Sequence, residues 1–374
     1  MYMTAQRYLL FAMASGETSQ AYAIASHLHA QGKTVTLILK KDVTRGFFAD
    51  SAPPFPVRMA GTVPLLKQYV EEYKPEVVIL CNSKAFRDDP LFWNAPSSLF
   101  PDTLVVSVDS NWLFLPTSTV YPYNRWMDRY YINLPNGVFK EGLLERGGIF
   151  DIPKNIGDRL EPIGCIPAYT PVTKEEKKTV RESFGLYDDE KLIFCYVSGF
   201  GAGSRSWVFD NLLHAVDELQ EPKVRILIFG DVTKIDMDSL KRPDIILPPK
   251  TNMDAFYAAL ASSDLVFQHQ GLATMEQAIS ARVPVIANVT TYPEDEYPEL
   301  HIGEVQPFAH MGTCILHMKT TPISKIADSI HTYLFDEVAI ATMKQCQELQ
   351  WSNGEEELIL RIEKAYEEKF ASVV

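Results

Sequence analysis

The chain has 374 residues and is 46% hydrophobic, enough apolar material for two cores, and no segment approaches the ~20 apolar residues that a membrane span requires. Its formal net charge of −13 argues against nucleic acid as a main partner. Five cysteines, at 81, 165, 195, 314 and 346, are scattered, odd in number and without CxxC spacing, which suits reduced core thiols in a cytoplasmic protein rather than a disulfide frame or a zinc site. The charge is uneven: residues 1–165 carry 16 basic and 16 acidic side chains, residues 166–374 carry 19 and 32. The first half is thus the less repelled one near an anionic membrane, which leaves peripheral membrane contact open.

The apolar run from Tyr8 is short for a signal peptide, has only Arg7 as a preceding charge, and reads as a first β-strand. Strand patterns recur at Tyr8–Ala12, Thr34–Leu39, Glu76–Cys81 and Thr103–Val108, with helical patterns at Gln20–Gln31 and Pro64–Tyr73. Alternation of this kind predicts an α/β fold with a parallel sheet wound on both faces, binding ligands beyond the carboxyl ends of the strands. The first such loop, Ala14 to Gln20, is not GxGxxG, and Lys40-Lys41 stand where a ribose-binding acid would follow the second strand, which argues against a dinucleotide site. Within that loop Glu17 has two readings: a general base whose pKa burial would raise, or a first-turn acid that complements the helix dipole. Asp109, at the end of the fourth strand, is a second candidate base or orienter. The loops after the third and fourth strands hold Phe86, Phe92, Trp93, Trp112, Phe114, Tyr121, Tyr123 and Trp126, which suit either stacking on a sugar or lipid tail or an ordinary aromatic core.

The proline-rich stretch Leu160 to Thr173 reads as a linker, with the hinge near Gly164–Thr170. A strand at Lys191–Val197 then runs into Ser198 to Arg205, where Gly199, Gly201 and Gly203 alternate before a helix at Trp207–Leu219. Such glycines allow close backbone approach to an anion, or simply make a turn. Lys223–Gly230 is a further strand, and Asn252-Met253 opens a helix over Asp254–Ala261. Leu265–Phe267 reads as a buried strand followed by Gln268, His269, Gln270 and Gly271; a helical pattern starts at Thr274, Pro284 closes it, and Val283–Ala287 is the next strand. A helix entered through glycine presents unpaired backbone N–H groups and a positive dipole end, both favourable to phosphate. Three acids, Glu294, Asp295 and Glu296, suit a polyol or a solvated loop. Gly354 to Phe370 reads as an amphipathic helix of structural character. Asp236-x-Asp238 reads as surface.

Three stretches, Ser15–Gln20, Gly199–Arg205 and His269–Gln277, together resemble the GT-B superfamily of glycosyltransferases, with two Rossmann-like domains facing a cleft. Gly271-Leu272-Ala273-Thr274-Met275-Glu276 is most similar to lipid A disaccharide synthase, with the peptidoglycan lipid-intermediate GlcNAc transferase a near second. The Ser15-Gly16-Glu17 loop resembles the Gly-Glu of the first of these and of Kdo transferase. The resemblance implies an acceptor domain over 1–164, a donor domain over 165–350, and a helix over 351–374 packing back toward the first. It implies that Gly201, Gly203, Ser204 and Arg205, with the helix start at Ala273 and Thr274, hold the donor diphosphate, that Gln270 belongs to the donor site, and that His269 contacts the diphosphate or the acceptor side. Met253 would lie by the nucleobase and Glu296 by the donor-sugar hydroxyls. The ribose carboxylate position falls on Glu276 counting forward from Gly271 and on Gln277 counting back from Pro284.

The resulting expectation is metal-independent transfer of a sugar from a nucleotide-diphosphate sugar, UDP-sugar foremost, to an acceptor hydroxyl, with Glu17 as base. The acceptor is open, a lipid-linked one included. The nucleotide-sugar is a substrate, so no cofactor is expected. The same fold also serves UDP-sugar hydrolases and 2-epimerases, and a non-catalytic sugar- or nucleotide-binding protein is the third reading.

Overall fold

Buried residues run without a break through Val77–Cys81 and Val285–Val289, the pattern of strands covered on both faces. In the computed structural model such runs build two all-parallel sheets. The structure describes residues 4–13, 15–40, 52–82, 85–86, 89, 92, 99–110, 126–145, 150, 152, 156, 159–197, 206–230, 232, 235–236, 238–248, 252–269, 271–289 and 298–371. The chain forms two compact units, Met1–Phe139 with Leu143–Ala168 and Ser352–Val374, and Lys140–Gly142 with Tyr169–Trp351.

The first unit contains β1 (Arg7–Ala12), α1 (Ser15–Ala30), β2 (Thr34–Leu39), β3 (Val57–Met59), α2 (Val63–Tyr73), β4 (Val77–Cys81), β5 (Leu104–Asp109), β6 (Arg129–Ile132) and β7 (Leu160–Pro162). Its strand order is β3-β2-β1-β4-β5-β6-β7, every pair parallel. The chain moves outward from β1 to β3, then crosses back to start β4 on the other side of β1. That reversal between β1 and β4 is where open α/β sheets bind ligands. β3, β6 and β7 have no counterpart among the sequence expectations; at three or four residues each, they are too short for periodicity to register. β5 ends one residue later than predicted, which places Asp109 within the strand.

The second unit contains α3 (Lys174–Ser183), β8 (Lys191–Val197), α4 (Ser206–Leu219), β9 (Val224–Gly230), β10 (Ile245–Ile246), α5 (Met253–Ser262), β11 (Leu265–His269), α6 (Leu272–Ala281), β12 (Val285–Val289), α7 (Pro298–His310), β13 (Ile315–Met318), α8 (Ile323–Phe335) and α9 (Glu337–Gln350). The order β10-β9-β8-β11-β12-β13 repeats the plan of the first sheet, with the reversal between β8 and β11. α6 starts at Leu272, two residues before the predicted Thr274, because Gly271 already serves as its N-cap. β12 starts two residues after the predicted Val283: Arg282 caps α6 in the left-handed region at φ 57°, so the chain re-extends only after Pro284.

α3 is tied to the amino ends of β8 and β11 through Asp264, whose carboxylate meets Lys177 at 3.2 Å, Arg181 at 2.8 Å and the Leu192 N–H at 2.8 Å. Burial disfavours that charge, but Lys177, Arg181 and the amide outweigh it and hold the carboxyl below its ordinary range. The last helix, α10 (Gly354–Phe370), belongs to the first unit. Leu358, Ile359, Ile362, Ala365 and Tyr366 join Ile24, Leu28 and Ile79 in one core. Among the described residues no helix is long and apolar enough to cross a membrane.

Candidate functional site

Polar side chains gather where the strand order of the first sheet reverses. Glu17 lies in the first turn of α1, just beyond β1, and Asn82 follows β4. The Asn82 Nδ2 donates to Glu17 Oε1 at 2.8 Å, so one hydrogen bond spans the ends of two adjacent strands. Asp109 closes β5 and is 1% exposed; Ser107 Oγ donates to its Oδ2 at 2.8 Å. Between the two acids lies Cys81, whose thiol is pushed well up by burial and further by the Glu17 and Asp109 carboxylates. Both predicted acids therefore act on one thiol, although they lie far apart in the sequence. Gln20, one turn into α1, approaches Ser110 Oγ at 3.5 Å, and its own Oε1 is enclosed with no partner among the described residues. A half-buried carboxylate that accepts from an amide N–H has the chemistry to accept a proton from a hydroxyl.

Asn82, Cys81 and Gln20 escaped sequence reasoning. The signal for Asn82 was present: it is the first polar residue after an apolar strand that ends at the ligand-binding side of the sheet. The aromatic loops resolve differently. Phe11, Phe86, Phe92, Phe100 and Trp126 form a chain of ring contacts 4.8–5.7 Å apart, with Phe86 and Phe92 buried. These rings are core, whereas Trp93, Trp112, Phe114, Tyr121 and Tyr123 lie outside the described residues.

In the second unit the corresponding place is the end of β11 and the start of α6. His269 ends the strand and is 2% exposed. Its carbonyl accepts from the Gly271 N–H at 2.6 Å, a tight turn that swings the chain into the helix. Gly271 caps α6 with φ −45° and makes no side-chain cap. The N–H groups of Leu272, Ala273 and Thr274 therefore lack intrahelical acceptors, as any first turn does. A Cβ at Gly271 would meet only the His269 carbonyl and Thr274 Oγ1, both at 4.0 Å. The fold thus tolerates a side chain there, and its lack leaves the mouth of the helix open to an anion worth roughly 0.3–1 kcal/mol of dipole attraction, more when partly buried. Glu276 and Gln277 lie within α6, 0% and 3% exposed, and Gln277 Oε1 has no partner among the described residues. Met253 opens α5 behind Asn252, whose Oδ1 accepts from Ala255 N–H at 2.9 Å. Gly201, Gly203, Ser204, Arg205, Gln270 and Glu296 lie outside the described residues. Asp236 and Asp238 are exposed; Asp236 caps a short turn by accepting from Ser239 N–H at 2.9 Å.

A family of unknown function, DUF6365, matches residues 155–306. No curated protein sequence matches the chain. Among solved structures, MurG of Acinetobacter baumannii is 13% identical with a TM-score of 0.60, covering 96% of this chain and 99% of that one. MnaA of S. aureus, solved with UDP, is 13% identical with a TM-score of 0.64 over 94% of each chain. The spinosyn rhamnosyltransferase SpnG is 12% identical with a TM-score of 0.61, covering 96% of this chain and 100% of that one. The chain has the GT-B fold of these proteins, two Rossmann-like α/β domains.

Proposed function

We propose that this protein is a glycosyltransferase that moves a sugar from a nucleoside-diphosphate sugar, UDP foremost, to an acceptor hydroxyl. The observation that carries the reading is the pair of polar sites at the two strand-order reversals: Glu17 with Asn82 and Asp109 in the first unit, and His269 with the open mouth of α6 in the second. UDP is favoured because a protein of the same fold was solved with it. In the reaction the acceptor oxygen bonds to the anomeric carbon as the carbon–oxygen bond to the diphosphate breaks. The bonding pair leaves with the UDP, and the hydroxyl proton passes to Glu17. Backbone N–H groups of Ala273 and Thr274, fixed before the substrate arrives, stabilise the charge that develops on the departing diphosphate. Glu276 or Gln277, one turn further on, would serve the ribose. Arg205 would add a guanidinium to the leaving group.

Glu17→Gln tests the assignment. The amide keeps the shape and a partner for Asn82 but accepts no proton. UDP affinity, measured by calorimetry, is expected to stay within about twofold, while transfer falls by about 10²- to 10⁴-fold. Transfer at the wild-type rate would remove Glu17 from the chemistry. Rapid UDP release without any acceptor would point instead to hydrolysis or epimerisation. A wild-type protein whose thermal unfolding is not shifted by UDP, GDP or CMP would overturn the enzymatic reading.

A further inference from the structure

Beyond the three glycosyltransferase-like stretches, a second set of donors stands at the carboxyl end of the second sheet. Lys319 follows β13, and its backbone N–H donates to the Val289 carbonyl at 2.8 Å, which pins it beside the end of β12. Its Nζ lies 5.6 Å from the ring centroid of Trp207, the second residue of α4. The Trp207 ring in turn stands edge-on to His269, centroids 5.9 Å apart and planes at 80°. Trp207 Nε1 is enclosed and has no acceptor among the described residues. Asn288 lies opposite His269 in the β11–β12 register; it is fully buried, and its Oδ1 likewise lacks a partner among the described residues.

The indole N–H of Trp207 is a donor only, and a buried donor without an acceptor is costly enough to call for a partner. The Trp207 N–H, with the Lys319 ammonium against its ring and His269 edge-on to it, therefore suits an acceptor-rich anion. It stands at the end of the sheet where α6 opens its amino terminus. We propose that Lys319 and Trp207 are phosphate-binding residues of the donor site: the ammonium and the indole N–H hold the diphosphate on the side opposite the α6 backbone. The inference rests on the nucleoside-diphosphate reading above and deepens it, by assigning residues that no glycosyltransferase-like stretch contains. Lys319 supplies charge on a flexible stem, and Trp207 fixes where that charge rests by a cation–π contact.

The test separates phosphate from nucleoside. UDP and uridine are titrated into wild type, Lys319→Met, Lys319→Arg and Trp207→Phe by calorimetry. Lys319→Met is expected to weaken UDP by about 10- to 100-fold, the loss typical of a hydrogen bond to a charged group, and to leave uridine unchanged. Lys319→Arg should restore UDP affinity to within about threefold. Trp207→Phe keeps an aromatic ring beside Lys319 but removes the N–H together with the pyrrole ring that bears it; a UDP loss of about tenfold with uridine unaffected is expected. Should Trp207→Phe lower the unfolding midpoint, the lysine pair carries the test alone. UDP affinity of Lys319→Met within twofold of wild type overturns the proposal, and so does an equal loss for uridine. A wild-type protein that binds no UDP overturns the donor reading itself, and this one with it.

Discussion

Glu355 is an acid whose environment opposes its charge. It is 5% exposed, and both carboxylate oxygens accept from the Ala168 N–H, at 2.9 and 3.1 Å. Burial pushes its carboxyl from 4.5 up to about 7; the Ala168 amide and its own N–H offset this only in part, and Glu356 adds to the rise. The folded chain thus binds this proton more tightly than the unfolded chain. Its contribution is fully present below about 4.5 and is lost as pH rises through about 7. Glu355→Gln removes the charge and keeps an acceptor for Ala168. Urea denaturation at pH 8 should show the variant more stable than wild type by about 2–3 kcal/mol, and the gap should close toward pH 5. A difference that does not change with pH would sink this account.

At the level of elements, the segment after β7 and the start of α10 are locked backbone to backbone. Cys165 N–H donates to Ser352 O at 3.2 Å and Gly354 N–H to Cys165 O at 3.0 Å, which makes a bridge between Cys165 and Asn353. Asn353 then caps the helix, its Oδ1 accepting from Glu356 N–H at 3.2 Å. The close approach depends on glycine. A Cβ at Gly354 would stand 2.5 Å from the Cys165 carbonyl oxygen and 2.6 Å from Ile166 Cγ1. The carbonyl is fixed by its own hydrogen bond, so the backbone must yield. Gly354→Ala should cost about 1–3 kcal/mol, in the range of core overpacking, although alanine is the better helix former. An unchanged denaturation midpoint would show that the junction is more plastic than its geometry implies. By comparison, Thr173, which forms a reciprocal cap with Glu176 at the exposed start of α3, offers only about 1 kcal/mol to lose.

On the scale of the whole molecule, the last helix completes the unit that the first strand begins. Five apolar side chains of α10 enter the core of the first unit; Leu358, Ile359 and Ile362 are each worth roughly 1.5–3 kcal/mol when fully buried, and Ala365 and Tyr366 add to that. Together they rival the entire stability of an ordinary domain, about 5–15 kcal/mol. A chain ending at Trp351 should therefore lose the cooperative unfolding of the first unit, and limited proteolysis should cut within β1–β5 while sparing β8–β13. Protection of β1–β5 in the shortened chain would mean that α10 is an accessory. Local pattern in the amino-acid order was enough for the α/β class, the long strands, and α1, α2 and α10, because burial on both faces writes continuous apolar runs and one-sided burial writes helical spacing. It was enough for the place of Glu17 just beyond β1 and for the glycine entrance of α6, since each follows a strand closely. What it did not contain is which distant residues share a space. Asn82 reaches Glu17 across 65 positions, Asp109 joins both at Cys81, and Lys319 finds Trp207, only because parallel strands set their carboxyl ends side by side. Such meetings leave no trace in periodicity: each partner is a single residue at or near the end of an element, and the crossovers of the sheet alone bring them together.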